Sequence, residues 1–493
     1  MKQGFLNKKL QDSFEKIQKR EVTKMKKHLV RFFLFLAVGL VISSTAYAEH
    51  LFGPDELDTS YGAVFRVRQE VWDNVVTLDT LAPTTSGADR NFLRLKTSLF
   101  GKLDYDKKAA LFLKVTNEMK WYGLGPYDSF KNNPNNDKFD PDEIIVDNLF
   151  FDAKNLLGAV DIRIGRQDFI GTYGEGFLLM DGTPGDGSRS FYFNAAKANV
   201  KVSQNFNFDL TYITDPKTDI YLPSIHPSVT GTTFQFVNNK KVLTASNEQA
   251  VVVYGRGKID KLTVEPYYVY KTEKGLSTGG IDPTRLDLNT FGARILYSID
   301  KWNMGGELAY QFGEYDDGRD RTGTGGYVFV GRKYDTVMWK PEFELRYVYL
   351  SGDKSGTDKV ETWDPLFSRN PYWNELIIYT LIPETSKYGG SIPGYWTNME
   401  IFKVSGKANF SPETSLALSY QYLWAPQSTA GLPSAMFSNS GHSRGHLPTA
   451  VLSHKFSKNV DGYLQFEYFA PENFYSSQAD DAIFFRWQLQ VKL

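Results

Sequence analysis

Residues 92–99 read Phe92-Leu93-Arg94-Leu95-Lys96-Thr97-Ser98-Leu99. Successive side chains of an extended chain point to opposite faces, so Leu93, Leu95 and Leu99 share one face while Arg94, Lys96 and Ser98 share the other. The same alternation sets Leu111, Leu113 and Val115 against Lys114, Thr116 and Glu118, and Phe343, Leu345, Tyr347 and Tyr349 against Glu342, Glu344 and Arg346. Leu416, Leu418, Tyr420, Tyr422 and Trp424 oppose Ser415, Ser419 and Gln421 in the same way. A period of two sustained along a chain marks amphipathic strands. It predicts 18 of them, at about 61–72, 91–104, 108–121, 143–154, 159–168, 196–204, 206–214, 249–258, 261–271, 286–299, 302–315, 324–333, 339–351, 398–409, 414–424, 447–456, 460–470 and 481–493.

The connections carry more information than the strands. Every second one is a short turn, as at Tyr105-Asp106-Lys107, Asn155–Gly158, Asp300-Lys301, Ser411-Pro412-Glu413 and Ser457-Lys458-Asn459. The intervening connections are mostly long and polar: 122–142, 169–195, 215–248, 352–397 and 425–446. Strict alternation places all turns at one end of a sheet and all loops at the other, with both termini at the turn end. The fold class this predicts is all-β: a transmembrane antiparallel β-barrel of about 18 strands with short periplasmic turns and long extracellular loops. A β-sandwich would use the same strands, and a propeller would add a repeat of 40 to 50 residues per blade, which is not found. Aromatic residues near strand ends (Trp72, Trp121, Tyr268, Tyr270, Tyr422, Trp424, Tyr468) suit the girdle of a membrane barrel. The last strand alternates Phe485, Trp487, Leu489 and Val491 with Arg486, Gln488, Gln490 and Lys492, the amphipathic C-terminal strand that barrel-insertion machinery reads, although Leu493 replaces the usual terminal aromatic.

The 493 residues include no cysteine, are 41% hydrophobic and 23% charged, and hold 36 Phe, 29 Tyr and 9 Trp. Disorder and a disulfide scaffold are both excluded by those figures. From Met25 the text runs through basic Lys26, Lys27 and Arg31, an apolar Phe32–Ile42 and a small-x-small site at Ala46-Tyr47-Ala48. That is a secretory leader, too short in its apolar run to span a bilayer, which needs roughly 20 residues. The expected organisation is a misassigned extension at 1–24, a signal peptide at 25–48 and one barrel domain at 49–493. Residues 1–48 carry ten Lys/Arg and three Asp/Glu, so a net charge of -1 becomes about -8 once they are removed. Nucleic acid is then an improbable partner, and the expected location is the outer membrane of a Gram-negative bacterium, in contact with its lipid.

Eighteen strands enclose a water-filled lumen, whereas about eight are filled by their own side chains. A channel is the default function, and its selectivity must come from inward charges and infolded loops. Alternation assigns Arg66, Arg68, Arg94, Lys96, Lys114, Lys120, Arg163, Arg294, Arg346 and Lys403 to the lumen, with acids such as Glu70, Glu118, Asp152, Asp209, Glu265, Glu307 and Glu344 facing the same way. Arg66, Arg68, Arg94, Lys96 and Lys114 are the densest basic set and the expected selective wall. Each of these charges also has a structural reading, as one half of a salt bridge stiffening the wall, and Arg94 and Lys96 beside Glu118 suit that reading best. If they do form the wall, replacing three with Glu should reverse selectivity without blocking assembly.

Two stretches bear a family likeness. GRQDFIGTYGEGFLL (165–179), followed by SRSFYFNAAKANV (188–200), carries Gly165, Arg166 and Gln167 at a strand end and then Tyr173-Gly174 in a loop. LRYVYLSGDKSGTDKVETWDPLFSRNPYW (345–373) carries Ser351, Gly352 and Asp353, then Asp364, Pro365 and Phe367. Together with a weaker match from His446-Leu447-Pro448 to Phe474-Tyr475, the chain resembles the alginate-export family of outer-membrane porins over about 61–493. The resemblance implies an 18-stranded barrel through which an anionic polysaccharide such as alginate leaves the periplasm past a basic constriction. A general porin taking up small solutes, small anions among them, would use the same barrel.

Catalysis is not expected. No serine sits in a Gly-x-Ser-x-Gly elbow, and the strand histidine His454 cannot face its neighbour Ser453. His442 and His446 have helical ligand spacing, but Gly441, Gly445 and Pro448 oppose a helix there, so no metal site is expected. The acidic stretch 132–143 lacks the spacing of a calcium loop. No cofactor is implied.

Overall fold

A computed structural model of the chain describes residues 57–76, 78, 89–122, 139–180, 192–230, 233–238, 246–275, 284–368, 372–385, 396–428, 432 and 436–493. The leader, its cleavage site and the N-terminal extension lie outside the described residues, as do residues 132–138 of the acidic stretch, while 139–143 begin a strand. Twenty strands follow one another: β1 (Leu57–Asp73), β2 (Arg90–Tyr105), β3 (Ala109–Tyr122), β4 (Phe139–Leu156), β5 (Val160–Gln167), β6 (Phe193–Lys201), β7 (Phe206–Asp215), β8 (Ser224–Thr230), β9 (Thr233–Asn238) and β10 (Ser246–Ile259). The second half comprises β11 (Leu262–Gly275), β12 (Arg285–Ile299), β13 (Trp302–Tyr315), β14 (Asp320–Lys333), β15 (Glu342–Leu350), β16 (Met399–Asn409), β17 (Thr414–Trp424), β18 (Ser443–Lys455), β19 (Val460–Pro471) and β20 (Ala482–Lys492).

Each strand pairs antiparallel with its sequence neighbour, except that β7 pairs with β10 and leaves β8 and β9 as a hairpin outside the ring. β8 pairs with the wall at Ile225 and Ser224, opposite Ile144 and Ile145 of β4. β1 pairs with β20, from Val64 opposite Lys492 to Asp73 opposite Ile483, and closes an 18-stranded barrel. Ala63 and Leu493 exchange both backbone hydrogen bonds (3.1 and 2.8 Å), so the last residue completes the seam. Closure removes the edges of the ring, which is what allows its strands to cross a bilayer.

The 18 expected strands are the 18 of the ring, within four residues at each end. The loop hairpin and two short helices at Leu376–Thr380 and Ile382–Thr385 were not anticipated. His446, expected in a loop, lies inside β18 because that strand begins at Ser443.

Alternation sorts the faces as expected for β2, where Phe92, Arg94, Lys96 and Ser98 are buried and the leucines are not. Leu111, Leu113, Phe151, Phe291, Leu308, Val328, Phe343, Leu345 and Leu418 are exposed on the outer wall. So much apolar surface fits lipid, not water. Trp72 corrects the girdle: it shares a face with Arg66, Arg68 and Glu70, is buried inside, and lies 4.2 Å from the ring of Tyr379.

The hydrophobic core lies inside the lumen at the loop end. Inward residues near the loop ends of the strands are apolar there (Ile213, Val252, Val269, Leu288, Val348, Ile401, Leu423, Phe484) and pack against infolded loops carrying Phe169, Phe177, Trp363, Phe367, Ile377 and Trp396. Toward the turn end the inward face becomes polar. The barrel is therefore packed above and wet below.

Candidate solute pathway

The loop from Asp168 to Met180 decides the bore, because it reaches from β5 across the lumen. Tyr173 Oη bonds Thr211 Oγ1 on β7 at 2.6 Å, and Tyr254 Oη on β10 accepts from the Gly174 amide at 3.0 Å. Arg256 of β10 donates to the Thr172 carbonyl. On the far side Glu175 accepts two bonds from Arg346 of β15 (2.7 and 3.3 Å) and one from Tyr372 Oη (2.9 Å). Gly174 has a φ of +55° and lies against Glu307, where a Cβ would stand 3.0 Å from Oε2; glycine serves both needs. Burial raises the Tyr173 phenol well above its ordinary pKa, as it does that of Tyr372, where Glu175 adds to the effect. Both stay neutral hydrogen-bonding hydroxyls.

The motif residues hold this loop and its partner in place. Gly165 has a φ of +129° and a Cβ there would fall 2.3 Å from the Leu149 carbonyl. Arg166 makes a two-bond ion pair with Asp219 (3.2 and 2.6 Å), donates to the Val146 carbonyl at 3.0 Å, and stacks 3.9 Å from the Tyr192 ring. Gln167 bonds the Ala195 carbonyl at 3.0 Å. Ser351 Oγ accepts from the Thr324 amide and donates to the Glu361 carbonyl, Gly352 packs on Asn398, and Asp353 accepts from the Glu361 amide. Asp364 accepts from the Leu366 amide (2.7 Å) and from Lys271 (3.4 Å), while its own backbone is gripped at both N–H and C=O by Gln311. The Pro365 carbonyl accepts from the Ser368 amide, and buried Phe367 lies 5.0 Å beneath the Lys271 ammonium. These positions shape the infolded loops.

The basic set on β1, β2 and β20 forms a buried network. Glu118 accepts from Arg66 (2.9 Å) and Arg94 (3.0 Å); Glu70 accepts from Arg94 (2.9 Å), Arg68 (3.3 Å) and Arg486 (2.8 Å). Arg486 also pairs with Glu375 of the infolded loop. Lys96 stands opposite Arg66 and Glu118, and Lys120 opposite Arg94. Lys114 pairs with Asp147 at 3.0 Å. The structure thus brings the expected wall together, with carboxylates threaded through it.

A second row runs beneath the crossing loop. Arg163 forks onto Asp152 (2.7 and 2.8 Å), Arg256 pairs with Asp209 (3.0 Å), Arg294 with Glu265 (2.7 Å), and Lys403 lies opposite Arg346 with its ammonium 5.5 Å over Trp373. In three pairs the cation is the wetter partner. Side-chain exposure is 30% against 7% for Arg163 and Asp152, 25% against 3% for Arg256 and Asp209, and 21% against 0% for Lys114 and Asp147. The carboxylates sit against the wall and the cations face the water. Arg294 and Glu265 are about equally exposed, and the order is reversed for Arg346, which is less exposed than Glu344 and Glu175, and for Lys271, which is less exposed than Glu273. Arg256 was missed by the sequence reading because Ala250, Val252 and Tyr254 ahead of it face the dry upper lumen while Val251 and Val253 face lipid, so β10 shows no alternation.

The histidines are dispersed. His442 Nδ1 bonds the Ala425 carbonyl, His446 Nε2 pairs with Glu472, and His454 Nδ1 meets Thr414 Oγ1. Among the described residues no group of three His, Asp or Glu could hold a metal.

A sequence model of the alginate-export family matches residues 234–482. The chain belongs to the alginate-export family. No curated protein matches its sequence. Three solved structures show the same fold: a BenF-like porin from Pseudomonas fluorescens Pf-5 (TM-score 0.53, 12% identity, 88% of this chain and 98% of that one), and two Acinetobacter baumannii proteins, OccAB1 (0.51, 10%, 88% and 96%) and OccAB2 (0.50, 12%, 88% and 98%). The alginate-export barrel described here is an outer-membrane channel.

Proposed function

We propose that this channel passes an anionic polysaccharide of the alginate type out of the periplasm. The carrying observation is the uneven exposure of the ion pairs below the crossing loop. A neutral pair whose cation faces water while its carboxylate is turned to the wall still presents a positive surface, and a carboxylated polymer threading the lumen meets Lys114, Arg163 and Arg256 first. Such a wall offers charge-assisted hydrogen bonds to successive carboxylates without a deep trap, which a conducting path requires. The family assignment supports the same reading. Uptake of small anions is the second reading, favoured by how much of the upper lumen the loops fill.

The test is release of a fluorescently labelled polyuronate from proteoliposomes, against a neutral dextran of equal hydrodynamic size. Polyuronate should escape faster. Equal release of both, or release of single sugars alone, would replace export of a polyanion by the second reading.

A further inference from the structure

Beneath the crossing loop, against β4, β5, β6, β7 and β10, lies a cavity of about 380 Å³. Its walls carry four cations, Lys154, Arg163, Lys197 and Arg256, and two carboxylates, Asp161 and Asp209; Gly171 and Thr172 of the crossing loop also line it. The volume is near the small end of the roughly 300–1,000 Å³ typical of ligand sites, room for one small polar molecule and not for a run of polymer.

Three of the four cations are committed. Arg163 is forked onto Asp152, Arg256 is held by Asp209 and the Thr172 carbonyl, and Lys154 lies 3.9 Å from Asp161, which Lys201 also approaches at 3.3 Å. Lys197 is different. It stands opposite Arg163 in the β5–β6 register, and among the described residues no carboxylate lies within 4.0 Å of its ammonium; Asp209 acts on it from farther off, and the Phe169 ring is 5.8 Å away. Elsewhere on the cavity wall, the Asn207 amide oxygen is already engaged by Asn199 (3.1 Å) and Arg256 (3.4 Å), which leaves its nitrogen with donors to spare. An uncommitted ammonium, an amide donor and the exposed edge of an arginine within one small cavity match a carboxylate borne on a hydroxylated ring.

We propose that this cavity is a staging site for a single uronate unit, its carboxylate on Lys197 and its hydroxyls on Asn207 and the neighbouring polar wall, on the turn side of the crossing loop. The site deepens the export reading and rests on it for the identity of the sugar. A unit parked there puts the next stretch of chain beneath the constriction in a fixed orientation, and its one-point charge contact lets it leave again.

The experiment uses the full barrel in planar bilayers, with sodium glucuronate titrated as a blocker of ion current and glucose as the neutral control. Wild type should be blocked by glucuronate and not by glucose. Lys197→Met should raise the half-blocking concentration at least about tenfold, the effect of losing one hydrogen bond to a charged group, and Lys197→Arg should restore most of the block. Equal block of wild type and Lys197→Met, equal potency of glucose, or no block of wild type would each overturn the staging site. The export reading is scored separately by polyuronate release: release intact with no Lys197-dependent block removes the site alone, and Lys197-dependent block without polymer release keeps the site and removes export.

Discussion

Arg94 separates a bracing role from a selective one. Its guanidinium bonds Glu118 through Nε and Nη2 and Glu70 through Nη1, all between 2.9 and 3.1 Å, with both carboxylates fully buried. Arg94→Met removes those bonds but leaves Glu118 with Arg66 and Glu70 with Arg68 and Arg486. Breaking a buried pair typically costs about 3–5 kcal/mol, and the remaining partners hold this case near the lower end. Arg94→Glu is a different perturbation. It brings a third carboxylate to within hydrogen-bond range of two others, and at an effective dielectric of 20 each like-charge contact at 4 Å costs about 4 kcal/mol. Added to the lost pairing, the sum reaches about 10 kcal/mol, comparable with the 5–15 kcal/mol that stabilises a whole protein. The comparison is Leu95→Arg, one residue away on the outer wall, where a charge costs about 2–4 kcal/mol at mid-membrane. Heat-modifiable gel mobility of outer membranes and the urea midpoint of refolded protein read all three. Expected is no folded band for Arg94→Glu, with folded but destabilised bands for the other two. A normally assembled Arg94→Glu channel with altered selectivity would refute the brace and reinstate the expectation that glutamates here merely reverse selectivity.

Other outcomes follow from the loops and their fastenings. Glu175→Gln should leave channel size unchanged and raise anion preference in single-channel recordings, because the loop is also held by six buried side chains between Phe169 and Met180, each worth about 1.5–3 kcal/mol. Gly165→Ala should lower the unfolding free energy by at least the about 1–3 kcal/mol that overpacking costs, and with it the urea midpoint, since its Cβ meets the Leu149 carbonyl. At the outer end, the Ser443 hydroxyl and His446 hold the Glu472 carboxyl below its ordinary value of 4.5. A depressed carboxylate contributes stability above its unfolded pKa and loses it as pH falls through the lower folded value, so the protection of amides in 472–476 against exchange should fall as pH drops below the ordinary carboxylate value of 4.5.

The wall of this protein was legible because lipid and lumen impose opposite demands on adjacent residues. Where the inward face is polar, as along β2, β3 and β15, leucine alternates with arginine, lysine or glutamate and both strand and facing are readable. The alternation fails in the upper half of β10, where Ala250, Val252 and Tyr254 pack on the infolded loops, so Arg256 escaped notice; on β11 the buried Tyr267 and Val269 hid Lys271 in the same way. The same dryness placed Trp72 inside instead of in the girdle. The loops hid most of the site, because Glu175 meets Arg346 171 residues away in the chain, a partnership that no local pattern records. Facing could be read for Arg66, Arg68 and Arg94, but not that Glu70 and Glu118 lie close enough to engage all three. The GRQ and SGD motifs were visible as words, and only their hydrogen bonds show that they fasten loops.

The central claim, a lumen whose water-facing charge is positive although its ion pairs are balanced, is tested most directly by the reversal potential of wild-type channels across a potassium chloride gradient. A potential displaced toward the chloride equilibrium value is predicted, shrinking as ionic strength rises and screening grows. A displacement toward the potassium value would contradict the account, since carboxylates would then be the groups that meet the permeating ion.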